Sequence, residues 1–347
     1  MKIQRATTFR RGRPRRAKIE LFTVVFGSLL LSGIGQADDL TECMTRMMQH
    51  SNDDMTVGEL RRSCQNQLHG AEPIVPTETD PAVITARIRA DERNVLQPFT
   101  LMAHKPNYLL FATYNSSGYD PDVYREALDD PNFDIDDTEA QFQVSIKAPL
   151  AIDLFGMVDI YGAYTNRSFW QVYNSNSAPF RETNHEPEIW AEFTPNWEFL
   201  GFTNSRNAIG LVHQSNGRGG SVSRSWNRAY ASFAVEKGDL ALAFKPWYRF
   251  KEDKDDDDNP DITDYLGHYE LRGAYKWGEH VFSAMSRNNL ESGFSRGAVE
   301  LGWSFPLGNY PYLKGYVQYF NGYGESLIDY NKSVNRIGVG IALTDWL

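Results

Sequence analysis

The strongest constraint on the fold is a two-residue repeat of apolar side chains, which recurs in segment after segment from Asn107 to the C-terminus. The segment from Asp239 to Phe250 shows it most clearly. One face of this predicted strand carries large apolar side chains, namely Leu240, Leu242, Phe244, Tyr248 and Phe250. The opposite face carries small, aromatic and basic side chains, namely Ala241, Ala243, Lys245, Trp247 and Arg249. A period of two residues predicts β-strands, because successive side chains of a strand point to opposite faces.

About twelve segments have this extended character. The predicted strands are Asn107 to Asn115, Glu139 to Ala148, Gly156 to Gln171, Glu186 to Thr194, Arg206 to Ser215, Trp226 to Val235, Asp239 to Phe250, Tyr265 to Trp277, His280 to Asn288, Arg296 to Pro306, Tyr312 to Asn321 and Val334 to Leu347. Some joins are short, namely Lys237-Gly238, Gly278-Glu279 and Leu307-Gly308-Asn309. Others are long and polar or acidic, namely residues 116–138, 172–185, 216–225, 251–264 and 322–333. Short turns at one end and long loops at the other are typical of transmembrane β-barrels.

We therefore predict an all-β fold, a twelve-stranded antiparallel transmembrane β-barrel over residues 107–347, preceded by a short helical segment. A soluble β-sandwich would show similar alternation, but its apolar faces would form the interior and its other faces would meet water. Side chains such as Lys245 and Trp247 on the second face suit a barrel lumen filled by side chains. After residue 37, no segment approaches the roughly 18 consecutive apolar residues of a transmembrane helix.

The first 37 residues have the composition of a secretory signal peptide. A basic region up to Lys18 precedes an apolar run from Leu21 to Leu31, and Gly35-Gln36-Ala37 supplies the small residues of a cleavage site. This region holds eight of the 35 Lys and Arg residues and one of the 45 acidic residues, so the mature chain carries a formal charge of about −17. We therefore expect export to the bacterial outer membrane and no nucleic-acid partner.

Residues 38–106 form a separate region before the predicted barrel. Both cysteines of the chain, Cys43 and Cys64, lie in a Met-rich, charged stretch of helical character that ends near Leu68. In an oxidising compartment they can form a disulfide that joins two short helices, and a pair of free thiols is the alternative. A linker rich in Pro, Thr, Glu and Asp follows over residues 70–81, and a connecting segment reaches Pro106.

The apolar face of the fifth predicted strand ends in two polar residues, His213 and Ser215. If the sixth strand pairs with it so that Asn227 lies opposite His213, then Ser225 lies opposite Ser215. A hydroxyl, an imidazole and an amide would then meet on the outside of the barrel. A serine nucleophile needs an imidazole to take its proton, and an asparagine can orient that imidazole without adding a charge. By spacing alone, however, an interfacial histidine beside the start of a loop is the commoner explanation.

Several runs of residues at and around this position resemble the outer membrane phospholipase A family. The matching runs are His213 to Arg218, Ser223 to Arg228, Pro179 to Asn184, Lys245 to Tyr248, Asp258 to Thr263 and Gly322 to Asn331. The resemblance covers the chain from about Asn107 to the C-terminus and leaves out the cysteine-containing region. It implies an outer-membrane barrel that hydrolyses acyl esters of phospholipids and lysophospholipids, requires Ca²⁺ and is activated by forming a homodimer.

Carried over to this chain, the resemblance assigns Ser215 as the nucleophile, His213 as the base and Asn227 as the group that orients the base. The family stabilises the oxyanion with a backbone amide, which corresponds here to that of Gly217, together with a calcium ion. The resemblance therefore implies acyl-ester hydrolysis at a site that faces lipid.

The family's calcium ligands correspond to four positions, namely the Arg218 carbonyl, Ser223, Asp258 and, across the dimer, Ser177. Oxygen ligands of these types suit a hard cation. Two departures concern the same functions. Gly219-Gly220 stands where family members often have polar or acidic residues, which predicts calcium binding that is either weaker or shared differently among the ligands. Asn166 stands where the family has a glutamine at the dimer interface, which bears on the strength of the dimer.

Other signals favour no second site. Gly293 to Gly297 matches the G-x-S-x-G motif of soluble esterases, but that motif needs a strand-turn-helix and here joins two predicted strands. His185 and His280 have no convergent partners that the sequence identifies, so we expect ordinary interfacial or loop histidines. The main alternative function is a barrel without enzymatic activity, either a channel or a scaffold.

Overall fold

The structure is a computed structural model that describes residues 43–45, 47–48, 56–68, 81–95, 97, 100–175, 178–253, 255 and 257–347. Within these residues, twelve long strands form one sheet that closes on itself. The strands β1 to β12 are, in chain order, Asn107–Asn115, Thr138–Leu154, Val158–Trp170, Phe180–Phe193, Phe202–Ser215, Ser225–Lys237, Leu240–Arg249, Tyr269–Trp277, His280–Asn288, Gly297–Leu307, Tyr310–Tyr323 and Ser333–Thr344. Strands that follow one another pair antiparallel, and β12 pairs with β1 to complete the ring. The predicted twelve-stranded antiparallel barrel is confirmed.

The strand boundaries agree with the prediction to different degrees. Strands β1 and β9 match the prediction to the residue. Strand β2 continues to Leu154, beyond the predicted end at Ala148, and β4 begins at Phe180 rather than at Glu186. Both differences arise because residues near the strand ends, mostly apolar in β2 and polar in β4, still pair with β3.

The long loops contain short helices that were not predicted from the sequence. Helix α3, Pro121–Leu128, begins after Asp120, whose side chain accepts a hydrogen bond from the Asp122 amide, and ends at Asp129 in a left-handed conformation. Helix α4, Ile262–Leu266, lies in the loop between β7 and β8. Both helices stand at the same end of the barrel, together with the other long loops.

The two faces of the wall differ as the repeat predicts. Apolar side chains on the outer face are exposed, and examples are Ile209, Leu211, Phe244, Tyr248, Ile337 and Val339. Inward residues are buried although many are charged, and Arg336 of β12 is fully buried. An apolar exterior around a polar interior is the arrangement that a lipid environment requires.

Side chains fill the lumen around Glu188 of β4. Its carboxylate lies 2.7 Å from His104 Nε2 and accepts a hydrogen bond from Tyr230 Oη at 3.0 Å. Lys105 and Lys245 form ion pairs with the same carboxylate at 3.1 and 3.6 Å. A cavity of about 370 Å³ remains between these and other lumen side chains. The predicted filling of the lumen, including the inward position of Lys245, is confirmed.

A second buried network lies closer to the long loops and centres on Arg181 of β4. Its guanidinium donates to both carboxylate oxygens of Glu139, each at 2.7 Å, and to Tyr124 Oη at 2.9 Å. The Phe169 ring lies 4.4 Å from the same guanidinium. Burial, together with the nearby Asp329 carboxylate, raises the pKa of the Tyr124 phenol well above its usual range. The hydroxyl therefore stays protonated and donates to Asp329 at 2.6 Å.

Helix α2, Val83–Val95, lies at the short-turn end of the barrel, where the sequence predicted only a connecting segment. The amides of Ile84 and Thr85 donate to the Glu236 carboxylate at 2.6 and 3.1 Å. Asp91 accepts a hydrogen bond from Lys147 Nζ at 2.7 Å. Since Glu236 and Lys147 belong to different strands, the helix contacts both sides of the barrel's end.

The chain after α2 also joins the sheet before β1 begins. The two-residue strand Met102–Ala103 pairs antiparallel with β2. Among the described residues, no helix is long and apolar enough to cross a membrane. The predicted signal peptide and the greater part of the linker lie outside the described residues.

The described residues divide into two compact units, and the smaller one contains both cysteines. Cys43 lies in a short helical stretch, Cys64 lies in helix α1, Val57–Leu68, and the two sulfurs form a disulfide. The predicted disulfide is therefore present, and the alternative of two free thiols is wrong.

Candidate active site

The predicted polar cluster lies on the outer wall at the long-loop end of β5 and β6. Strand β5 presents Ile209 and Leu211 to the exterior, 64% and 53% exposed, and then His213 and Ser215 on the same face. His213 pairs in register with Asn227, and Ser215 pairs with Ser225. The register predicted from the sequence is confirmed, so the hydroxyl, the imidazole and the amide lie side by side.

A chain of hydrogen bonds determines which ring nitrogen of His213 carries the proton. Asn227 donates from Nδ2 to Glu252 Oε1 at 3.1 Å, which turns its carbonyl oxygen towards His213. That oxygen lies 2.9 Å from His213 Nδ1. Because a carbonyl oxygen only accepts, His213 carries its proton on Nδ1 and its Nε2 is the basic nitrogen. Sequence reasoning missed Glu252, which lies in a loop with many acidic residues and no distinguishing spacing.

The loop after Ser215 is shaped by Asn216, a buried residue that the sequence analysis also missed. Its carbonyl oxygen accepts from the amides of Arg218 and Arg224 at 3.3 and 3.0 Å, and its Nδ2 donates to the Val222 carbonyl at 2.9 Å. Gly217 adopts a φ of +66° between these contacts, a conformation that favours glycine. The Asn-Gly pair was the available signal, since this dipeptide is common in tight turns.

The backbone carbonyl of Arg218 is one of the predicted calcium ligands. The side chain of Arg218 fixes the position of this residue through contacts with the barrel. The guanidinium donates to the Ala127 carbonyl at 2.6 Å and to the Arg181 carbonyl at 2.7 Å, and it pairs with Glu182 at 3.3 Å. These contacts tie the loop 216–224 to helix α3 and to β4. The backbone beside Ser215 is therefore held by the buried part of the barrel.

Two of the predicted calcium ligands, Ser223 and Asp258, are hydrogen-bonded to each other. Ser223 donates from Oγ to Asp258 Oδ2 at 2.6 Å, and next to them the Ser225 amide donates to Asn259 Oδ1 at 2.9 Å. Ser177 lies outside the described residues. Within the described ranges, no group of three or more His, Cys, Asp or Glu side chains is arranged so that it could hold a metal ion by itself. A hydroxyl and a carboxylate in contact nevertheless provide the hard oxygen donors that Ca²⁺ prefers, so the residues present fit this ion.

His185 lies in β4 rather than in a loop, and it has partners that could not be named from the sequence. It pairs in register with Ser215 on one side and with Asn166 on the other. Its Nδ1 lies 2.6 Å from Tyr164 Oη and 3.4 Å from Asn166 Nδ2. The signal was absent from the sequence because the register between β4 and β5 depends on an irregular connection.

The G-x-S-x-G run does not form an esterase site. Residues 289–296 connect β9 to β10 through a short 3₁₀ turn, Leu290–Ser292. A strand-turn-strand cannot supply the strand-turn-helix that places the motif's serine in soluble hydrolases. The prediction that this run joins two strands is confirmed.

A closed barrel with an apolar exterior and a polar interior defines the class of integral outer-membrane β-barrel proteins, and in this chain a polar cluster of serine, histidine and asparagine is set into the exterior. The family model described as phospholipase A1 matches residues 84–343. The chain therefore belongs to the phospholipase A1 family.

Individual relatives agree with this assignment. Phospholipase A1 of Klebsiella pneumoniae is 40% identical over 272 residues, which cover 76% of this chain and 90% of the relative. The outer membrane phospholipase A of Escherichia coli is 37% identical, with a TM-score of 0.65, over 72% of this chain and all of that structure. The structure of a Salmonella typhi outer membrane phospholipase dimer with bound calcium is 39% identical, with a TM-score of 0.66, over 73% of this chain and 96% of that structure.

The family assignment settles the class of activity. The chain is a phospholipase of the outer membrane, and the alternative of a barrel without enzymatic activity is wrong. The family match begins at residue 84, earlier than the predicted start of the resemblance at Asn107. Helix α2 lies in this added stretch, which agrees with its contacts to the barrel.

Proposed function

We propose that this phospholipase hydrolyses acyl ester bonds of phospholipids and lysophospholipids at Ser215, with His213 as the base and Asn227 as its orienting partner. The observation that carries the proposal is the 2.9 Å contact between His213 Nδ1 and Asn227 Oδ1 on the face that also presents Ser215. The exposed Ile209 and Leu211 below these residues provide an apolar surface for the acyl chains.

In the first half of the reaction, His213 Nε2 takes the proton of the Ser215 hydroxyl as Oγ attacks the ester carbonyl carbon. The tetrahedral intermediate collapses, the ester C–O bond breaks, and the leaving alkoxide takes the proton from His213. In the second half, a water molecule gives a proton to the same nitrogen and attacks the acyl carbonyl carbon. The bond between that carbon and Ser215 Oγ then breaks, Oγ takes the proton back from His213, and the fatty acid leaves. Asn227 keeps the imidazole in the required tautomer throughout.

The Gly217 amide is the proposed backbone donor to the oxyanion. We propose that Ca²⁺ is held by the Arg218 carbonyl, Ser223, Asp258 and Ser177 of the partner subunit. When bound there, Ca²⁺ supplies positive charge that stabilises the oxyanion. The contact between Ser223 and Asp258 supports this assignment for two of the four positions.

We further propose that the active form is a homodimer. The support is the related Salmonella typhi phospholipase, whose structure is a dimer with bound calcium. If one subunit completes the calcium site of the other, calcium binding and dimerisation stabilise each other by linkage. Asn166 lies on the outer wall beside the site, as a residue at such an interface would.

Ser215→Ala and His213→Ala test the catalytic assignment, and Ser225→Ala is the matched control. Ser225 lies directly opposite Ser215 in the sheet, so its replacement changes the same surface without removing the proposed nucleophile. We expect the first two variants to lose fatty-acid release from mixed micelles, and the control to keep it. All three should retain the heat-modifiable gel mobility of a folded barrel. Turnover by Ser215→Ala near that of the unmodified enzyme would refute the assignment.

Calcium and dimerisation are tested together by titrating a chelator while following hydrolysis, chemical crosslinking and sedimentation in detergent. We expect activity and the dimer fraction to fall over the same range of free calcium. Asp258→Asn should shift both curves to higher calcium, because it removes a negatively charged ligand. A monomer that is fully active in excess chelator would overturn this part of the proposal.

A further inference from the structure

His185 belongs to a row of polar residues that crosses four strands on the lipid-facing wall. Asn166, His185, Ser215 and Ser225 occupy successive strands and are paired in register. The Cα atoms of directly opposed residues in antiparallel strands lie about 4.5–5.5 Å apart. Ser215 is therefore flanked by His185 on one side and by Ser225 on the other, and beyond His213 the same face of β5 is apolar, with Leu211 and Ile209.

The contacts of His185 determine which of its nitrogens carries the proton. Asn166 Oδ1 accepts a hydrogen bond from Ser168 Oγ at 3.0 Å, so its Nδ2 faces His185 Nδ1 at 3.4 Å. Tyr164 Oη lies 2.6 Å from the same nitrogen and can donate to it. Since the Asn166 amide nitrogen can only donate, His185 Nδ1 is an acceptor, and the proton of the neutral ring is on Nε2.

The Nε2 edge of this ring faces the loop that follows Ser215. A methyl group added to the Gly217 Cα would lie 3.5 Å from His185 Cδ2 and 3.6 Å from Nε2. The amide of Gly217 is the backbone donor proposed above for the oxyanion. An imidazole N–H is thus available beside that amide and next to the proposed nucleophile.

We infer that the Nε2–H of His185 donates a hydrogen bond to the carbonyl oxygen of the ester bound at Ser215. This inference rests on the proposed function. The hydrogen bond strengthens as the oxygen gains charge in the tetrahedral intermediate, so it lowers the barrier rather than only tightening binding. His185 keeps its proton throughout the reaction, and Tyr164 and Asn166 act as positioning residues that hold the ring.

His185→Phe removes the donor and keeps a ring of similar shape, whereas His185→Gln restores an N–H donor without a ring. We expect His185→Phe to lower kcat about 10²-fold with KM changed by less than about twofold, as for other donors to an oxyanion. His185→Gln should recover part of this loss. Unchanged kcat in His185→Phe would overturn the inference.

Two substrates separate contact with the acyl carbonyl from contact with the headgroup. A lysophospholipid contains a phosphate, and a p-nitrophenyl acyl ester does not, but both present the same carbonyl to Ser215. Equal losses in His185→Phe on both substrates are the expected result. A loss confined to the lysophospholipid would mean that His185 binds the phosphate, which contradicts the inference.

Labelling with a fluorophosphonate distinguishes failure of the inference from failure of the proposed function. If the unmodified enzyme is not labelled at Ser215, the proposed function itself is wrong. If it is labelled and His185→Phe hydrolyses both substrates normally, only the role of His185 is wrong. Crosslinking of the variant in saturating calcium completes the test, because a loss of activity that merely follows a loss of dimer would also overturn the inference.

Discussion

Asn227→Ala removes the acceptor for His213 Nδ1, and the structure allows the resulting loss of activity to be worked out. In the resting enzyme the 2.9 Å contact joins two neutral groups, and such a hydrogen bond contributes about 1 kcal/mol net. Once His213 has taken the proton of Ser215 it is charged, and hydrogen bonds to charged groups contribute about 1.5–3 kcal/mol. The difference, about 0.5–2 kcal/mol, stabilises the transition state and not the resting enzyme. We therefore expect kcat to fall roughly 2- to 30-fold.

The neighbouring Glu252 allows a sharper test of the same hydrogen bond. Asn227→Asp keeps an acceptor for His213, but it replaces the amide that donates to Glu252 at 3.1 Å with a second carboxylate. Two like charges at this distance repel, so we expect the aspartate variant to be less active than the unmodified enzyme. Combining it with Glu252→Gln restores a donor opposite the new carboxylate and should recover activity.

The assay for these variants is fatty-acid release from mixed micelles at saturating calcium, with folding checked by gel mobility. The single variants and the combined variant form a cycle whose coupling reports the interaction directly. A change of less than twofold in Asn227→Ala would refute the orienting role of Asn227. A loss as complete as that of Ser215→Ala would show that the hydrogen bond does more than the geometry supports.

Three further predictions concern stability, calcium and the disulfide. Arg181→Met leaves the buried Glu139 carboxylate without its cationic partner and should destabilise the barrel by about 3–5 kcal/mol in equilibrium unfolding by guanidinium. An unchanged unfolding midpoint would contradict this. Gly219 has a φ of −115° and nothing within 4 Å of an added Cβ, so Gly219→Asp should fold normally and lower the calcium concentration for half-maximal activity roughly 3- to 10-fold. An unchanged calcium curve would exclude a metal near Gly219. Replacing Cys64 with Ser should expose the N-terminal helices to proteolysis without reducing hydrolysis, and reduced hydrolysis would show that they support the barrel.

The strands could be predicted because the alternating lipid and lumen faces impose the period-two pattern on every one of them. The register between β5 and β6 could also be predicted. The loop that joins them begins and ends at polar residues, so pairing His213 with Asn227 aligned both apolar faces. The family resemblance then supplied the chemistry that spacing alone could not.

The environment of His185 could not be predicted in the same way. Its position opposite Ser215 depends on the connection between β4 and β5, in which Glu198–Phe199 pairs with the start of β5 and extends the hairpin irregularly. Counting residues through that connection gives no unique register. Contacts such as Tyr164 with His185 join separate strands and leave no local pattern in the sequence.

Helix α2 makes its contacts with residues far along the chain, and this has a consequence for the order of folding. The Ile84 amide binds Glu236, 152 positions later, while Asp91 pairs with both Lys147 and Arg206. These partners belong to three different strands, so the helix finds its full set only after those strands have come together. Closing such long loops is slow because the entropy is lost before the contacts form. Helix α2 is synthesised before the strands of the barrel, but we expect it to be among the last elements to reach its native position. During assembly the short-turn end of the barrel therefore stays uncovered until this helix docks.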